Sequence, residues 1–301
     1  MHFLLWITVT IAVGTTQAEI REFSGGNELP HEKYVRTIPE SESPVERVYI
    51  KSKDGLYVAA AIRKPKGNGP FPALIHFHGA PGGRGMEQLV GWARGDHGSP
   101  VFERFLREGY TVVVADYRGG LNLRRFHEQP DPEAITYVDD AVAVTDYVGK
   151  LPYVDPQRLH VYGVSLGGDV TMHLITRVQV RAAVLGAPAP MRFLGAQAQG
   201  QGPDRFKNLR INQELAEKNA AAVRCPVLIL VGTADSLIGV DRPLHDYLEK
   251  AGKRVRMEIY ANGYHDFVIG PQGQAGRKEP LLDITLTALE NTLQFLRDPA
   301  K

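Results

Sequence analysis

Gly163-Val164-Ser165-Leu166-Gly167 is the stretch whose reading decides the fold. It reads as a nucleophile elbow, a sharp turn from strand to helix that lifts a serine hydroxyl to the tip of the strand. Such a serine sits in a strained backbone conformation, and glycines two before and two after it leave no Cβ to obstruct the turn. Its surroundings fit. Arg158-Leu159-His160-Val161-Tyr162 suits a strand directly before the turn, and Gly168 to Arg177 can continue as a helix.

Outward from the elbow, strand and helix patterns alternate. Val45 to Lys51 and Leu56 to Arg63 read as strands joined at Lys53-Asp54-Gly55, a hairpin signal. Further strands are expected at Pro72 to Phe77, Thr111 to Ala115, Ala182 to Leu185, Val227 to Val231 and Val255 to Tyr260. Helices are expected from Ser99-Pro100 to about Glu108, from about Glu133 to Gly149, near Pro243 to Ala251 and near Pro280 to Phe295. This alternation implies a mostly parallel sheet with helices on both faces and the hairpin at one edge. Residues 189–223 break the rhythm and read as an insertion, either a small lid or a plain connecting helix.

A serine hydroxyl needs a base to take its proton and an acid to orient that base. Asp235 follows the apolar run Val227 to Val231, which puts an acid at the carboxyl edge of the sheet beside Ser165. His265 follows the next strand, on the loop Ala261-Asn262-Gly263-Tyr264-His265-Asp266-Phe267. Asp241 is the nearest rival for the acid role and Asp266 a more distant one. An oxyanion requires two positioned donors. Leu166 N–H, next to the nucleophile, is one candidate. Ala80 N–H, on the glycine-rich loop His78-Gly79-Ala80-Pro81-Gly82-Gly83, is the other. His76 and His78 could pair on a metal, but no third ligand follows at zinc-like spacing, so neither metal nor cofactor is expected. Arg84, Arg94, His97 and Arg118 are expected on loops rimming the site. Asp139, Asp140 and Asp146 read as a solvated helix face.

These segments, together with Asp116-Tyr117-Arg118-Gly119-Gly120 and Tyr153-Val154-Asp155-Pro156-Gln157-Arg158-Leu159, resemble the α/β-hydrolase superfamily. The resemblance is to the catalytic domain of the prolyl oligopeptidase (peptidase S9) family and to dienelactone-hydrolase-like esterases. It runs from about Val45 to Phe295. It implies an α/β-hydrolase fold with Ser165 as nucleophile, Asp235 as acid, His265 as base, and Ala80 and Leu166 as oxyanion donors. Two departures stand out. Dienelactone hydrolase itself uses cysteine where this chain has Ser165, and the S9 peptidases often carry an aromatic residue where it has Leu166.

The rest of the chain bounds the answer. With 301 residues and 43% hydrophobic content, a substantial core is available. A net charge of +1 gives no reason to expect a nucleic-acid partner. The one cysteine, Cys225, excludes an intrachain disulfide and reads as a buried packing residue. Phe3 to Val13 is an apolar run too short to span a bilayer comfortably, with small residues Thr16 and Ala18 before Glu19. Residues 1–18 are therefore expected to be a cleaved export signal, with an uncleaved anchor as the lesser alternative. No stable membrane insertion is expected after cleavage, and the mature protein would be secreted or periplasmic. Residues 19–43 read as an exposed leader and residues 44–301 as the hydrolase domain. The leading functional reading is a serine esterase acting on small or medium acyl esters. An S9-type peptidase or amidase acting on short peptides, and a non-catalytic binding protein on the same fold, are the alternatives.

Overall fold

The computed structural model describes residues 19–23, 43–96, 101–117, 134–199, 203–270 and 280–299. The expected export signal, His97, Ser99, Pro100 and Arg118 lie outside the described residues. In chain order the elements are β1 (Glu19–Phe23), β2 (Val45–Lys51), β3 (Tyr57–Arg63), β4 (Phe71–Phe77), α1 (Met86–Arg94), α2 (Val101–Arg107), β5 (Thr111–Ala115) and α3 (Ala134–Gly149). There follow β6 (Val154–Val164), α4 (Leu166–Leu174), β7 (Ala182–Gly186), β8 (Gln197–Ala198), β9 (Leu209–Arg210), α5 (Gln213–Ala222), β10 (Val227–Gly232), α6 (Ile238–Lys250), β11 (Val255–Tyr260) and α7 (Pro280–Arg297).

Nine strands form one sheet in the order β1-β11-β10-β7-β6-β4-β5-β3-β2. Pairing is parallel throughout except where β3 meets β5 and β2 meets β3. This is the mixed, mostly parallel sheet of the α/β-hydrolase fold. From β4 the chain moves outward to β5 and then returns to the other side of β4 as β6. The sheet thus changes winding direction at β4 and β6, and the loops leaving their carboxyl ends diverge to open a crevice.

The central strands read as unbroken apolar runs because both faces are covered. Every residue of β5, β7, β10 and β11 is buried. One apolar layer joins the sheet to α3, α4, α5 and α6, and a second joins the opposite face to α1, α2 and α7. Cys225 lies in the first layer, and burial pushes its thiol up to about 12, as expected of a packing residue.

Several expectations need correction. The first residues of the expected leader are not a loose approach to the domain: Glu19–Phe23 pairs in parallel with Arg256–Tyr260 and adds an edge strand. Helix α1 was not anticipated. It presents Leu89, Val90 and Ala93 to the core and ends at Gly95, whose φ of 82° is the left-handed closing position. Helix α6 starts five residues before Pro243, after a turn in which the Asp235 carboxylate accepts the Leu237 N–H at 3.0 Å. Asp140 does not lie on a solvated face; it is fully buried and accepts the Ser52 hydroxyl at 2.7 Å.

Residues 189–223 do form an insertion, made of the β8–β9 pair, a short 3-10 turn and α5. It braces the helix behind the elbow. Asp169, one turn along α4 from Ser165, accepts from Arg192 Nε at 2.8 Å and from Phe193 N–H at 3.1 Å. Asn219 on α5 donates to the Phe193 carbonyl at 2.7 Å. The insertion thereby fixes the helix behind the elbow. None of its described residues lines the cavity at Ser165.

Candidate active site

Ser165 stands between β6 and α4 with φ 54° and ψ −117°, the strained conformation expected of a nucleophile elbow. Both flanking glycines are required by contact. A Cβ on Gly163 would lie 2.2 Å from the Gly167 carbonyl oxygen, and one on Gly167 would lie 2.0 Å from that of Phe77. The turn is further held by Ser165 N–H donating to Gly186 at 3.1 Å, and by the Ser165 carbonyl accepting from Gly168 and Ala189 at 2.9 Å each.

Two loops from neighbouring strands converge on this serine. Asp235 follows β10, and His265 follows β11. His265 Nε2 lies 2.9 Å from Ser165 Oγ, and His265 Nδ1 lies 2.8 Å from Asp235 Oδ2. A carboxylate only accepts, so Nδ1 carries the ring hydrogen and Nε2 offers its lone pair to the serine hydroxyl. Burial is the largest influence on His265 and pulls its pKa down. The Asp235 hydrogen bond and the charges of Asp235 and Asp266 together outweigh it, and the net shift is upward.

The rival acids are placed differently. Asp241 is wholly buried on α6, and its carboxyl oxygens have no hydrogen-bond partner among the described residues. Burial, then the nearby Asp235 charge, raise its pKa well above the ordinary carboxylate value. Asp266 lines the cavity. Its pKa is raised by burial and by Asp235, against the opposing charges of His265 and Arg84. Of the three, Asp235 is the one bonded to His265.

The cavity at Ser165 measures about 690 Å³ and is lined by His76, His78, Gly79, Ala80, Arg84, Gln88, Trp92, Phe102, Val164, His265, Asp266 and Ile269. The sequence does not mark Gln88, Trp92 and Phe102 for the site. The spacing of Met86, Leu89, Val90 and Ala93 was the available signal for the helix that carries two of them. Arg84 is drawn in from the rim: Nη2 donates to the Ala80 carbonyl at 2.6 Å, and the guanidinium stands 5.5 Å from the Trp92 ring centre. Arg94, at the end of α1, is not among the lining residues. Neither Ala80 N–H nor Leu166 N–H has an acceptor among the described residues.

His76 and His78 do not form a metal pair. His76 Nδ1 faces the Tyr162 carbonyl at 3.1 Å, and burial, aided by the His78 charge, lowers its pKa to about 3. Both nitrogens of His78 are engaged by other groups. Among the described residues, the one group of three or more ligand side chains close enough to share an ion is His245, Asp246 and Glu249 on α6; both carboxylates are exposed, and none of the three lines the cavity.

The sheet order, the serine-bearing turn after β6 and the loops that meet it define an α/β-hydrolase-fold protein related to the serine hydrolase families. More particularly, the Dienelactone hydrolase family profile matches residues 58–280, and the chain belongs to that family. It is similar to the uncharacterized peptidase YuxL of Bacillus subtilis, at 22% identity over 270 residues covering 82% of this chain and 38% of that protein. The chain therefore spans well under half the length of that relative. Among solved structures it resembles the Pyrobaculum calidifontis esterase, with TM-score 0.62 and 19% identity over 88% of this chain and 89% of that one. It also resembles Porphyromonas gingivalis dipeptidyl peptidase 4, with TM-score 0.60 and 22% identity over 89% of this chain and 37% of that one. At these identities the structural likeness speaks for the fold alone.

Proposed function

We propose that the protein is a secreted serine hydrolase that cleaves small or medium acyl esters through Ser165, His265 and Asp235. The observation that carries this reading is the line of contacts from Asp235 Oδ2 to His265 Nδ1 and from His265 Nε2 to Ser165 Oγ, at 2.8 and 2.9 Å. In the first step His265 Nε2 takes the Ser165 hydroxyl proton as Oγ bonds to the ester carbonyl carbon. The carbonyl oxygen becomes an oxyanion, to which Ala80 N–H and Leu166 N–H would donate. His265 returns the proton to the departing alkoxide, leaving an acyl group on Ser165. Water then attacks the acyl carbon as His265 takes its proton; the C–Oγ bond breaks, His265 returns that proton to Ser165 Oγ, and the acid leaves. Asp235 keeps the imidazole in the required tautomer and balances its transient charge. The cavity of about 690 Å³ suits a small or medium substrate. Export is part of the proposal and rests on the apolar run Phe3 to Val13; N-terminal sequencing of the mature protein tests it.

A fluorophosphonate probe tests the chemistry. Wild-type protein should be labelled at Ser165, located by mass spectrometry, and Ser165→Ala should not be labelled. Folded wild-type protein that takes no label would remove the hydrolase reading in favour of a ligand-binding role. A second reading, an S9-type peptidase or amidase, is favoured by the peptidase name of the Bacillus subtilis relative. Parallel panels of acyl esters and aminoacyl amides separate the two, because amide cleavage requires His265 to protonate a poor amine leaving group.

A further inference from the structure

The loop that carries Ala80 is held by a polar chain the mechanism above does not use. Asp116, buried at the end of β5, accepts from His78 Nε2 at 3.1 Å, from Gly83 N–H and Gly85 N–H at 2.9 Å each, and from Tyr117 N–H at 2.8 Å. Burial pushes the Asp116 pKa up, but the His78 and Gly85 hydrogen bonds help to outweigh it, so the group is held below its ordinary value as a carboxylate. The other nitrogen of the same imidazole, His78 Nδ1, stands 2.6 Å from the Gly79 carbonyl oxygen. A carboxylate and a carbonyl can only accept, so each contact is a hydrogen bond when the ring nitrogen facing it carries the hydrogen.

The second bond has a geometric consequence. The Gly79 carbonyl and the Ala80 N–H belong to one trans peptide plane, in which C=O and N–H point in opposite directions. Fixing the Gly79 oxygen on His78 fixes the Ala80 N–H away from it. The loop passes against the serine here, since a Cβ on Gly79 would lie 3.3 Å from Ser165 Cβ. The carbonyl on the other side of Ala80 is also tied, by Arg84 Nη2. A peptide plane left free at this position could flip and present its oxygen to the oxyanion.

We propose that His78, seated on Asp116, is a positioning residue that aims the Ala80 N–H into the oxyanion site. The proposal rests on the reading of Ser165 as nucleophile and Ala80 N–H as a donor. It adds a Asp116-His78-Gly79 chain, separate from Asp235-His265-Ser165, that prepares the site for the tetrahedral intermediate.

The test compares His78→Phe, His78→Asn, His78→Gln and Asp116→Asn with wild type. The readouts are kcat and KM for p-nitrophenyl butyrate and the inhibition constant of butylboronic acid, which forms a tetrahedral adduct on an active serine. Removing one oxyanion donor outright costs roughly 10²–10³-fold in kcat. His78→Phe keeps a ring against Trp92 and Tyr117, so kcat should fall roughly 10–100-fold with KM nearly unchanged. Butylboronic acid should weaken by a similar factor. Asn can place an amide N–H near the Nδ1 position and Gln near the Nε2 position, so His78→Asn should recover more activity than His78→Gln. Asp116→Asn should lie between His78→Phe and wild type.

A His78→Phe variant with wild-type kcat and boronate affinity would overturn the proposal, provided the wild-type serine takes the fluorophosphonate. If the wild type takes no label, the hydrolase reading itself has failed, and this proposal falls with it. Loss of kcat with boronate affinity unchanged would reduce His78 to a packing role. Should His78→Phe fail to fold, the Asn and Gln pair decides, and Gln outperforming Asn would overturn the proposal.

Discussion

Asp235 holds His265 at 2.8 Å with one carboxylate oxygen while its other oxygen accepts the Leu237 N–H at 3.0 Å. The carboxylate bonded to the imidazole is thus itself held by the turn leading into α6. The net upward shift on His265 depends on that acid. In the proposed mechanism His265 must be neutral to act as base, so the acidic limb of kcat/KM against pH should lie above the ordinary histidine value of about 6.5. Asp235→Asn removes the hydrogen bond to a carboxylate and its charge but leaves burial in place. The limb should move to lower pH, while kcat falls roughly 10³–10⁴-fold because the wrong tautomer is favoured. A pH profile of both proteins checks this. A limb unmoved by Asp235→Asn would assign the titration to another group.

Asp241 should couple stability to pH. Its pKa is raised in the folded protein, so the folded state keeps a proton that the unfolded chain releases near pH 4. Stability therefore falls as pH rises from the unfolded value towards the raised folded one. Asp241→Asn removes this loss. It should raise Tm at pH 7 by about 3 °C or more, the change that about 1 kcal/mol produces in a domain of this size. The gain should vanish near pH 3, where both states are protonated. Melting curves at the two pH values check it, and equal shifts at both would point to packing instead of titration.

The parts legible in the sequence are those written locally. Val45–Lys51, Thr111–Ala115 and Val255–Tyr260 stand at the bounds their apolar patterns indicate, because turn residues punctuate them on both sides. That Ser165, Asp235 and His265 lie side by side was legible because each follows a strand, and parallel strands bring their carboxyl ends to one edge. Helix α1 was obscured by Gly85, Gly91 and Gly95, which read as loop although the first and last bound a helix. Asp140 could not be placed from its own helix, since its partner Ser52 is 88 residues away in sequence. The Asp116 clasp was hidden likewise: its donors on the β4 loop lie 31 to 38 positions earlier. Long-range partners of polar side chains are set by packing, and a periodic pattern does not carry them.

A buried ion pair beneath α1 and α2 offers a test of stability. Arg63 on β3 donates Nη1 to Glu103 Oε2 at 2.9 Å and to the Ala93 carbonyl at 2.9 Å, tying β3 to α2 and to the end of α1. Both side chains are nearly inaccessible, at 2% and 5% exposure. Glu103→Ala takes this carboxylate away from a buried guanidinium, which should cost about 3–5 kcal/mol. Chemical denaturation should register that loss, while kcat of the folded fraction stays near wild type. A kcat that falls in proportion would mean that α1 and the cavity it lines move when the pair is broken.

The elbow itself sets the last expectation. A Cβ on Gly167 would lie 2.0 Å from the Phe77 carbonyl oxygen and 2.7 Å from that of His78, both backbone atoms that cannot rotate aside. Gly167→Ala must therefore push α4 away from β4. Overpacking of this kind costs about 1–3 kcal/mol. The displacement acts directly on the chemistry, because Ser165 leads into α4 and the oxyanion loop leaves β4. Separating them spoils the distance between Ser165 and the proposed oxyanion donors even where the fold survives. Fluorophosphonate labelling of the folded variant should slow by about 10²-fold, the effect of a misplacement near 1 Å. Wild-type labelling in a Gly167→Ala protein with a lowered Tm would show that the two sides of the crevice move together.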